Sequence, residues 1–180
     1  MKKTTNYAII TGISFGLGFL YYAWHAEWII INIPASIGHA KTQNSFIKKK
    51  GVIYRWHDTK WLQEPLEILW SAQESHNAQQ LAQATLSLLA EEHGLKKKVT
   101  VQRVLFSPDT QQLSIFMDQS PFAKSMPIRT KFMIIESILK TLRENGIKAP
   151  LVNFFVDNQP LPDTHLDFTV SWPLKGFSGK

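Results

Sequence analysis

Side chains that could do chemistry are scattered along this 180-residue chain and form no known catalytic motif. The chain has no Cys, which excludes a disulfide, a thiolate metal site and a Cys nucleophile. None of the six His has the H-x-x-x-H or H-E-x-x-H spacing of a zinc-binding helix, and no Walker or Rossmann glycine motif occurs. The single G-x-S-x-G match, at residues 12–16, lies inside a long apolar run and not between a predicted strand and a predicted helix. The sequence therefore predicts no catalytic residue, no metal ligand and no cofactor, and it favours a protein that is not an enzyme.

The carboxylates that come nearest to a catalytic group lie close together near the C-terminus. Asp157, Asp163 and Asp167 fall in one predicted hairpin, with His165 between the last two. Such a set could bind a cation or serve as acid and base, although Asp in turns more often stabilises the turn itself. A secreted or periplasmic hydrolase that uses Asp157, Asp163 and His165 is therefore kept as an alternative.

The elements that would position these residues follow from hydrophobic periodicity. The stretch from Leu113 to Trp172 predicts a strand (LSIFMD), an amphipathic helix (IRTKFMIIESILKTLREN) and a β-hairpin (LVNFFVDNQPLPDTHLDFTVSW). Upstream, two more strands are predicted, GVIYRWHD and KWLQEPLEILW. Pro65 should place the second of them at a sheet edge or a bulge. A helix and the strand VTVQRVLF follow. These elements predict an α+β fold, a two-layer sandwich of a mixed or antiparallel sheet with two helices on one face.

Three aromatic residues are the candidate contact residues for a partner. Alternation along the strands places Phe116 and Phe155 opposite the side chains that face the core, and Trp172 ends the last predicted strand. An exposed sheet edge is a second means of contact, because a partner's strand could pair with it.

The N-terminal segment predicts a membrane anchor. Between Lys3 and Glu27 there is no charged side chain, and the apolar run with its flanks approaches the roughly 20 residues that a bilayer-spanning helix needs. We predict a transmembrane helix at about residues 7–26 in a single-pass protein of the cell membrane. Lys2 and Lys3 place the N-terminus in the cytoplasm and the rest outside. A signal peptide cleaved near Gly38 and Ala40 is the alternative.

Two glycines in this run could bring membrane helices together. Gly12 and Gly16 have the G-x-x-x-G spacing that allows close approach of two helices in a bilayer. They are candidate helix–helix contacts, and they make a homo-oligomer one of the predicted assemblies.

The domain organisation follows from these segments and from the charge. We predict an anchor at 1–28, a membrane-proximal linker at 29–50, an α+β domain at 51–172 and a tail at 173–180. The chain has a net charge of +6, and Lys48, Lys49 and Lys50 in the linker could touch anionic headgroups or a wall polymer. Basic stretches interleaved with aromatics, such as LKKKVTVQR, keep a nucleic-acid-binding domain as a second alternative, although the outward topology disfavours it.

The order strand, strand, helix, hairpin, helix, hairpin resembles the GerMN domain, an extracytoplasmic module of spore-germination and other bacterial envelope proteins. The closing helix FMIIESILKTLREN and the strand with its turn, LVNFFVDNQPLP, carry most of the resemblance. Asn158 stands where the family commonly has Gly, and the lipobox Cys is absent, so a tether would have to be the N-terminal helix. The resemblance implies a non-catalytic binding or assembly domain whose partner is an envelope protein, a cell-wall polymer or a second copy, and not nucleic acid.

Overall fold

The computed structural model describes residues 46–92, 98–123 and 125–176. The predicted anchor with Gly12 and Gly16, and the predicted linker up to residue 45, lie outside these residues. Two helices and two sheets make an α+β fold, as predicted. Among the helices of the described ranges, none is long and apolar enough to span a bilayer. The strands are β1 (Ile47–His57), β2 (Lys60–Trp70), β3 (Val101–Ser107), β4 (Gln112–Met117), β5 (Leu151–Val156), β6 (Gln159–Pro160) and β7 (Trp172–Pro173), and the helices are α1 (Glu74–Glu92) and α2 (Ile128–Glu144).

Strand β4 lies in the middle of a five-stranded mixed sheet. It pairs antiparallel with β3 and parallel with β5, and β5 also pairs antiparallel with the short strands β6 and β7. The parallel pairing follows from α2, which connects β4 to β5, because parallel neighbours need a crossover connection. The unit β4–α2–β5 is thus the centre of the fold.

The core lies between this sheet and the two helices. Alternate side chains of β4 (Leu113, Ile115 and Met117) are fully buried, and so is Phe154 of β5. Helix α1 supplies Ala78, Leu81, Thr85 and Leu89, and α2 supplies Ile135, Leu139 and Leu142. Ile128 lies in the first turn of α2 and is 51% exposed.

Strands β1 and β2 form a separate two-stranded ribbon, which corrects the prediction of a single sheet. They pair antiparallel along their whole length, and Asp58 in the turn adopts a positive φ of 54°. Strand β1 begins at Ile47 rather than near Gly51, so the basic triplet belongs to the strand and not to a linker. Pro65 fits in β2 because its backbone nitrogen, which has no hydrogen to donate, faces the outer edge of the ribbon and not β1.

Helix side chains bind the outer edge of β1. The side-chain amide of Asn145, at the end of α2, accepts a hydrogen bond from the backbone N–H of Val52 (3.0 Å) and donates one to the carbonyl oxygen of Val52 (2.7 Å). The hydroxyl of Thr141, one helical turn earlier, accepts a hydrogen bond from the N–H of Tyr54 (2.9 Å). These groups take the place that a neighbouring strand would occupy, which explains why β1 does not join the larger sheet.

Glutamines of α1 bind two other strand edges in the same way. Gln80 accepts from the N–H of Leu69 in β2 (3.2 Å) and donates to its carbonyl oxygen (2.7 Å). Gln83 accepts from the N–H of Val101 in β3 (2.7 Å) and donates to the carbonyl oxygen of Val99 (3.1 Å). An added strand would have to displace these bonds at the backbone positions where they form.

The predicted C-terminal hairpin is correct at its turn and wrong in its return strand. Asp157 and Asn158 both have positive φ (51° and 61°), as a two-residue hairpin turn requires, and β6 pairs back onto β5. In the return stretch HLDFTVSW only the final Trp forms a strand, β7, together with Pro173. The rest is irregular because the carboxylates of Asp163 and Asp167 bind backbone N–H groups two residues further on, which bends the chain into turns.

Candidate partner-binding surface

One face of the five-stranded sheet is not covered by the helices, and it carries a row of side chains in register. Arg103 of β3 lies opposite Phe116 of β4, Phe116 is beside Phe155 of β5, and Phe155 is beside Pro160 of β6. We call these four residues the aromatic row. The sequence placed Phe116 and Phe155 on this face, and the structure brings them together.

The rings of the aromatic row stack on one another. The ring centroids of Phe116 and Phe155 are 4.9 Å apart, which is about the usual spacing of adjacent strands, and the ring planes differ by 15°. The guanidinium of Arg103 lies 4.3 Å from the Phe116 centroid, and its Nη2 donates to Asn158 Oδ1 (2.7 Å). A nucleobase needs a free ring face on which to stack, whereas here Arg103 and Phe155 cover both faces of Phe116. The geometry favours contact through ring edges.

The next row of the same face is partly apolar. Leu105 of β3 is 51% exposed, and it lies opposite Ser114, which is beside Asn153. Asn153 Nδ2 donates to Gln112 Oε1 (3.0 Å). This row therefore presents one exposed apolar side chain beside a hydroxyl and two hydrogen-bonded amides.

The third predicted contact residue, Trp172, belongs to the core. Its side chain is 7% exposed and stacks on Phe168 with centroids 5.2 Å apart, and its Nε1 donates to the carbonyl oxygen of Asp167 (3.1 Å). It therefore offers a partner very little surface. The sequence offered it as a contact candidate at the end of a predicted strand from His165, and in the structure only Trp172 and Pro173 form a strand.

Of the predicted acid–base group, the structure brings His165 near Asp163, with Nδ1 3.9 Å from Oδ1. The side chain of Asp163 is 5% exposed. Its Oδ2 pairs with Lys131 Nζ of α2, and its Oδ1 accepts hydrogen bonds from the N–H groups of His165 (2.9 Å) and Leu166 (3.0 Å). Asp157 is exposed in the hairpin turn. Burial alone would raise the pKa of Asp163, but the hydrogen bonds from Lys131 and the two N–H groups, with the charge of Lys131, outweigh it and lower that pKa. The carboxylate of Asp163 thus fastens the C-terminal segment to α2.

A second polar cluster, which the sequence did not predict, lies at the turn end of the ribbon. Arg55 donates to Glu92 (2.9 Å) and Glu64 (3.1 Å), and His57 Nδ1 lies 2.5 Å from the same Glu92 oxygen. The i, i+2 spacing of Arg55 and His57 was the available signal, since it puts both on one face of a strand. Burial of the guanidinium would lower the pKa of Arg55, and its hydrogen bonds and charge interactions with Glu64 and Glu92 raise it overall.

This cluster borders a cavity of about 430 Å³ between the ribbon and the helices. Glu92 and His57 line one side, and Arg129, Thr130 and Ser137 of α2 line another. Within the ranges that the structure describes, no three His, Asp or Glu side chains are placed to hold a metal ion. The cluster ties the end of the ribbon to the end of α1.

Comparison with known proteins gives one structural likeness. No family model matches the sequence, and no curated protein matches it significantly. The chain is similar to a crystal structure described as "Putative Lipoprotein from Clostridium perfringens", with 17% identity and a TM-score of 0.46 over 72% of this chain and 88% of that one. This likeness is too distant to assign a family or a function.

Proposed function

We propose that the chain is a membrane-anchored, extracytoplasmic binding or assembly domain of the bacterial cell envelope, non-catalytic and similar to GerMN domains. One observation carries the proposal: the five-stranded sheet leaves a face open to solvent that bears the aromatic row and the exposed Leu105. A sheet face with such side chains is suited to contact with another macromolecule.

The membrane attachment in this proposal comes from the sequence. The uncharged run between Lys3 and Glu27 supplies a single-pass helix at about 7–26, with the N-terminus in the cytoplasm. Gly12 and Gly16 allow two such helices to associate. The partner of the folded domain is an envelope protein, a cell-wall polymer or a second copy of the chain.

The topology is tested with alkaline phosphatase, which is active only outside the cytoplasm, fused after Lys180 of the full chain. We expect high phosphatase activity in the membrane fraction of a bacterial host. A matched fusion that lacks residues 4–26 should be inactive and soluble. An inactive full-length fusion at equal protein level would contradict the outward topology.

The contact surface is tested by site-specific photo-crosslinking in intact cells. A photoreactive amino acid is placed at Leu105 or Ser114 on the open sheet face, and in the control proteins at Gln63 of the ribbon or Asp109 of the β3–β4 turn. All four positions lie at the surface or are partly exposed. We expect a discrete higher-mass product from the sheet face and none from the controls. Equal products from all four positions, or none, would contradict a specific binding face.

A further inference from the structure

The open end of the ribbon, opposite its turn, combines exposed apolar side chains with three lysines. Phe46, Ile47 and Leu69 are 50%, 66% and 48% exposed. The lysines at positions 48, 49 and 50 are exposed too, and they follow Ile47 directly in β1. We call the six residues Phe46, Ile47, Lys48, Lys49, Lys50 and Leu69 the ribbon end.

The three ammonium groups are available to an anionic partner. Among the described residues none of the three forms an ion pair, and Lys49 Nζ lies 3.9 Å above the ring of Trp70. Lys48 lies opposite Leu69 in the register, and Lys50 lies opposite Glu67. Alternation along the strand directs Lys48 and Lys50 to one face of the ribbon and Lys49 to the other, so cationic groups flank the apolar side chains on both faces.

We propose that the ribbon end is a docking surface for an anionic lipid bilayer. Apolar side chains enter the boundary between headgroups and acyl chains, while lysines extend their aliphatic stems along it and place their charges among the lipid phosphates. The charge of the ribbon end is complementary to such a membrane.

The position of the ribbon end in the chain also favours a bilayer. The uncharged run proposed as the anchor, Tyr7 to Trp24, is about 20 residues N-terminal to Phe46 in the sequence. This argument rests on the proposed anchoring, whereas the lipid contact itself needs only the six residues of the ribbon end. Wall polymer carries anionic charge as well, but it has no acyl boundary to receive Phe46, Ile47 and Leu69.

The test uses residues 44–180, a compact unit that contains the whole described core, so that the anchor contributes nothing. Co-sedimentation is measured with vesicles of phosphatidylcholine alone and with vesicles containing one third phosphatidylglycerol. We expect binding to the mixed vesicles only. Each lysine near an anionic surface raises the partition coefficient about fivefold, so the partition coefficient of K48Q/K49Q/K50Q should be about 100-fold lower than that of the wild type.

Two further variants make this result specific. K60Q/K98Q/K175Q removes the same charge from three exposed lysines elsewhere, and its partition coefficient should fall much less. I47S/L69S keeps all lysines and should lose about tenfold, because two half-exposed apolar side chains no longer enter the boundary. Equal losses in both lysine variants, or no loss in I47S/L69S, would overturn the proposal in favour of simple attraction to polyanions. Circular dichroism must show the same fold in every variant.

The full chain reconstituted in the same vesicles gives an independent readout. The protein has no native Cys, so Ile47→Cys and, as control, Leu105→Cys can each carry one environment-sensitive dye. We expect a blue-shifted emission at position 47 and not at position 105, and unshifted emission at both would overturn the proposal. An inactive phosphatase fusion would contradict the outward topology alone, since the lipid contact is measured without a cell.

Discussion

Replacing Asp163 by Asn should strongly destabilise the domain, although the side chains have the same shape. Asn keeps an oxygen that accepts the N–H groups of His165 and Leu166, but it removes the negative charge that faces Lys131. Lys131 and Asp163 have side chains only 4% and 5% exposed, so the substitution leaves a buried ammonium without its partner. Asp163→Ala removes the acceptor as well.

The expected size of the effect follows from this geometry. Breaking a buried ion pair by removing one partner costs about 3–5 kcal/mol, whereas an exposed pair is worth less than about 1 kcal/mol. Loss of the backbone hydrogen bonds in Asp163→Ala should add about 1 kcal/mol, since His165 is exposed and its N–H can bond to water. The double variant K131M/D163N should be clearly more stable than D163N, because it no longer buries an unpaired charge.

The pH dependence of the unfolding free energy of wild type and D163N provides a second prediction. The pKa of Asp163 is lower in the folded protein than the usual value of about 3.9, so its ion pair stabilises the fold fully above that pH. The stabilisation is lost as the pH falls through the lower, folded-state pKa. The difference in unfolding free energy between wild type and D163N should therefore be constant above about pH 5 and should shrink below pH 4.

Urea unfolding at 25 °C, followed by tryptophan fluorescence from pH 3 to pH 7, measures all of these quantities. The matched control is Asp109→Asn, an exposed Asp in the β3–β4 turn, which should cost less than about 0.5 kcal/mol. If D163N costs no more than this control at pH 7, or if K131M/D163N is no more stable than D163N, the buried pair does not hold the C-terminal segment as described.

Three other experiments, with five substitutions, probe the packing by the same assay. Asn145→Ala removes the side chain that bonds to the edge of β1 and should cost about 2 kcal/mol of unfolding free energy. Hydrogen exchange at the N–H of Val52 should become faster, and unchanged exchange there would contradict the role of Asn145. Gly176→Ala should cost about 1 kcal/mol more than Gly146→Ala. Both glycines have positive φ, but a Cβ at 176 would overlap the buried carboxylate of Glu136, whereas one at 146 would meet nothing within 4 Å. Equal costs would show that the Glu136 side chain moves aside. A double-mutant cycle of Phe116→Ala and Phe155→Ala should give a coupling of about 0.5–1.5 kcal/mol, and additive effects would mean that the two rings do not stack in solution.

Local patterns in the sequence were sufficient to predict most of the elements. The apolar stripe of α2 and the alternation of β4 and β5 are regular because each packs against the same core, so periodicity predicted them. The turn at Asp157 and Asn158 lies within the predicted hairpin, and both residue types tolerate the positive φ that it needs. These features depend on residues close together in the chain.

Features that depend on distant residues could not be predicted in this way. The ribbon of β1 and β2 stays apart from the larger sheet because Asn145, 93 residues further on, bonds to Val52. The irregular stretch after His165 depends on the pairing of Asp163 with Lys131, and no period in the sequence shows that contact. Trp172 was misplaced for the same reason. The pairing of Phe116 with Phe155 was missed as well, because the parallel register of β4 and β5 depends on the crossover helix.

The amide side chains that bind the strand edges also limit how the domain can associate with itself. Under the proposed anchoring, the domain would be confined to a thin layer, where its local concentration is high and open strand edges would pair between copies. Asn145 on β1, Gln80 on β2 and Gln83 on β3 already occupy backbone groups that such growth would use. Crowding on a membrane should therefore favour discrete complexes through side-chain surfaces over open-ended fibres. Removing these amides would be expected to make the protein prone to aggregation before it lost its fold.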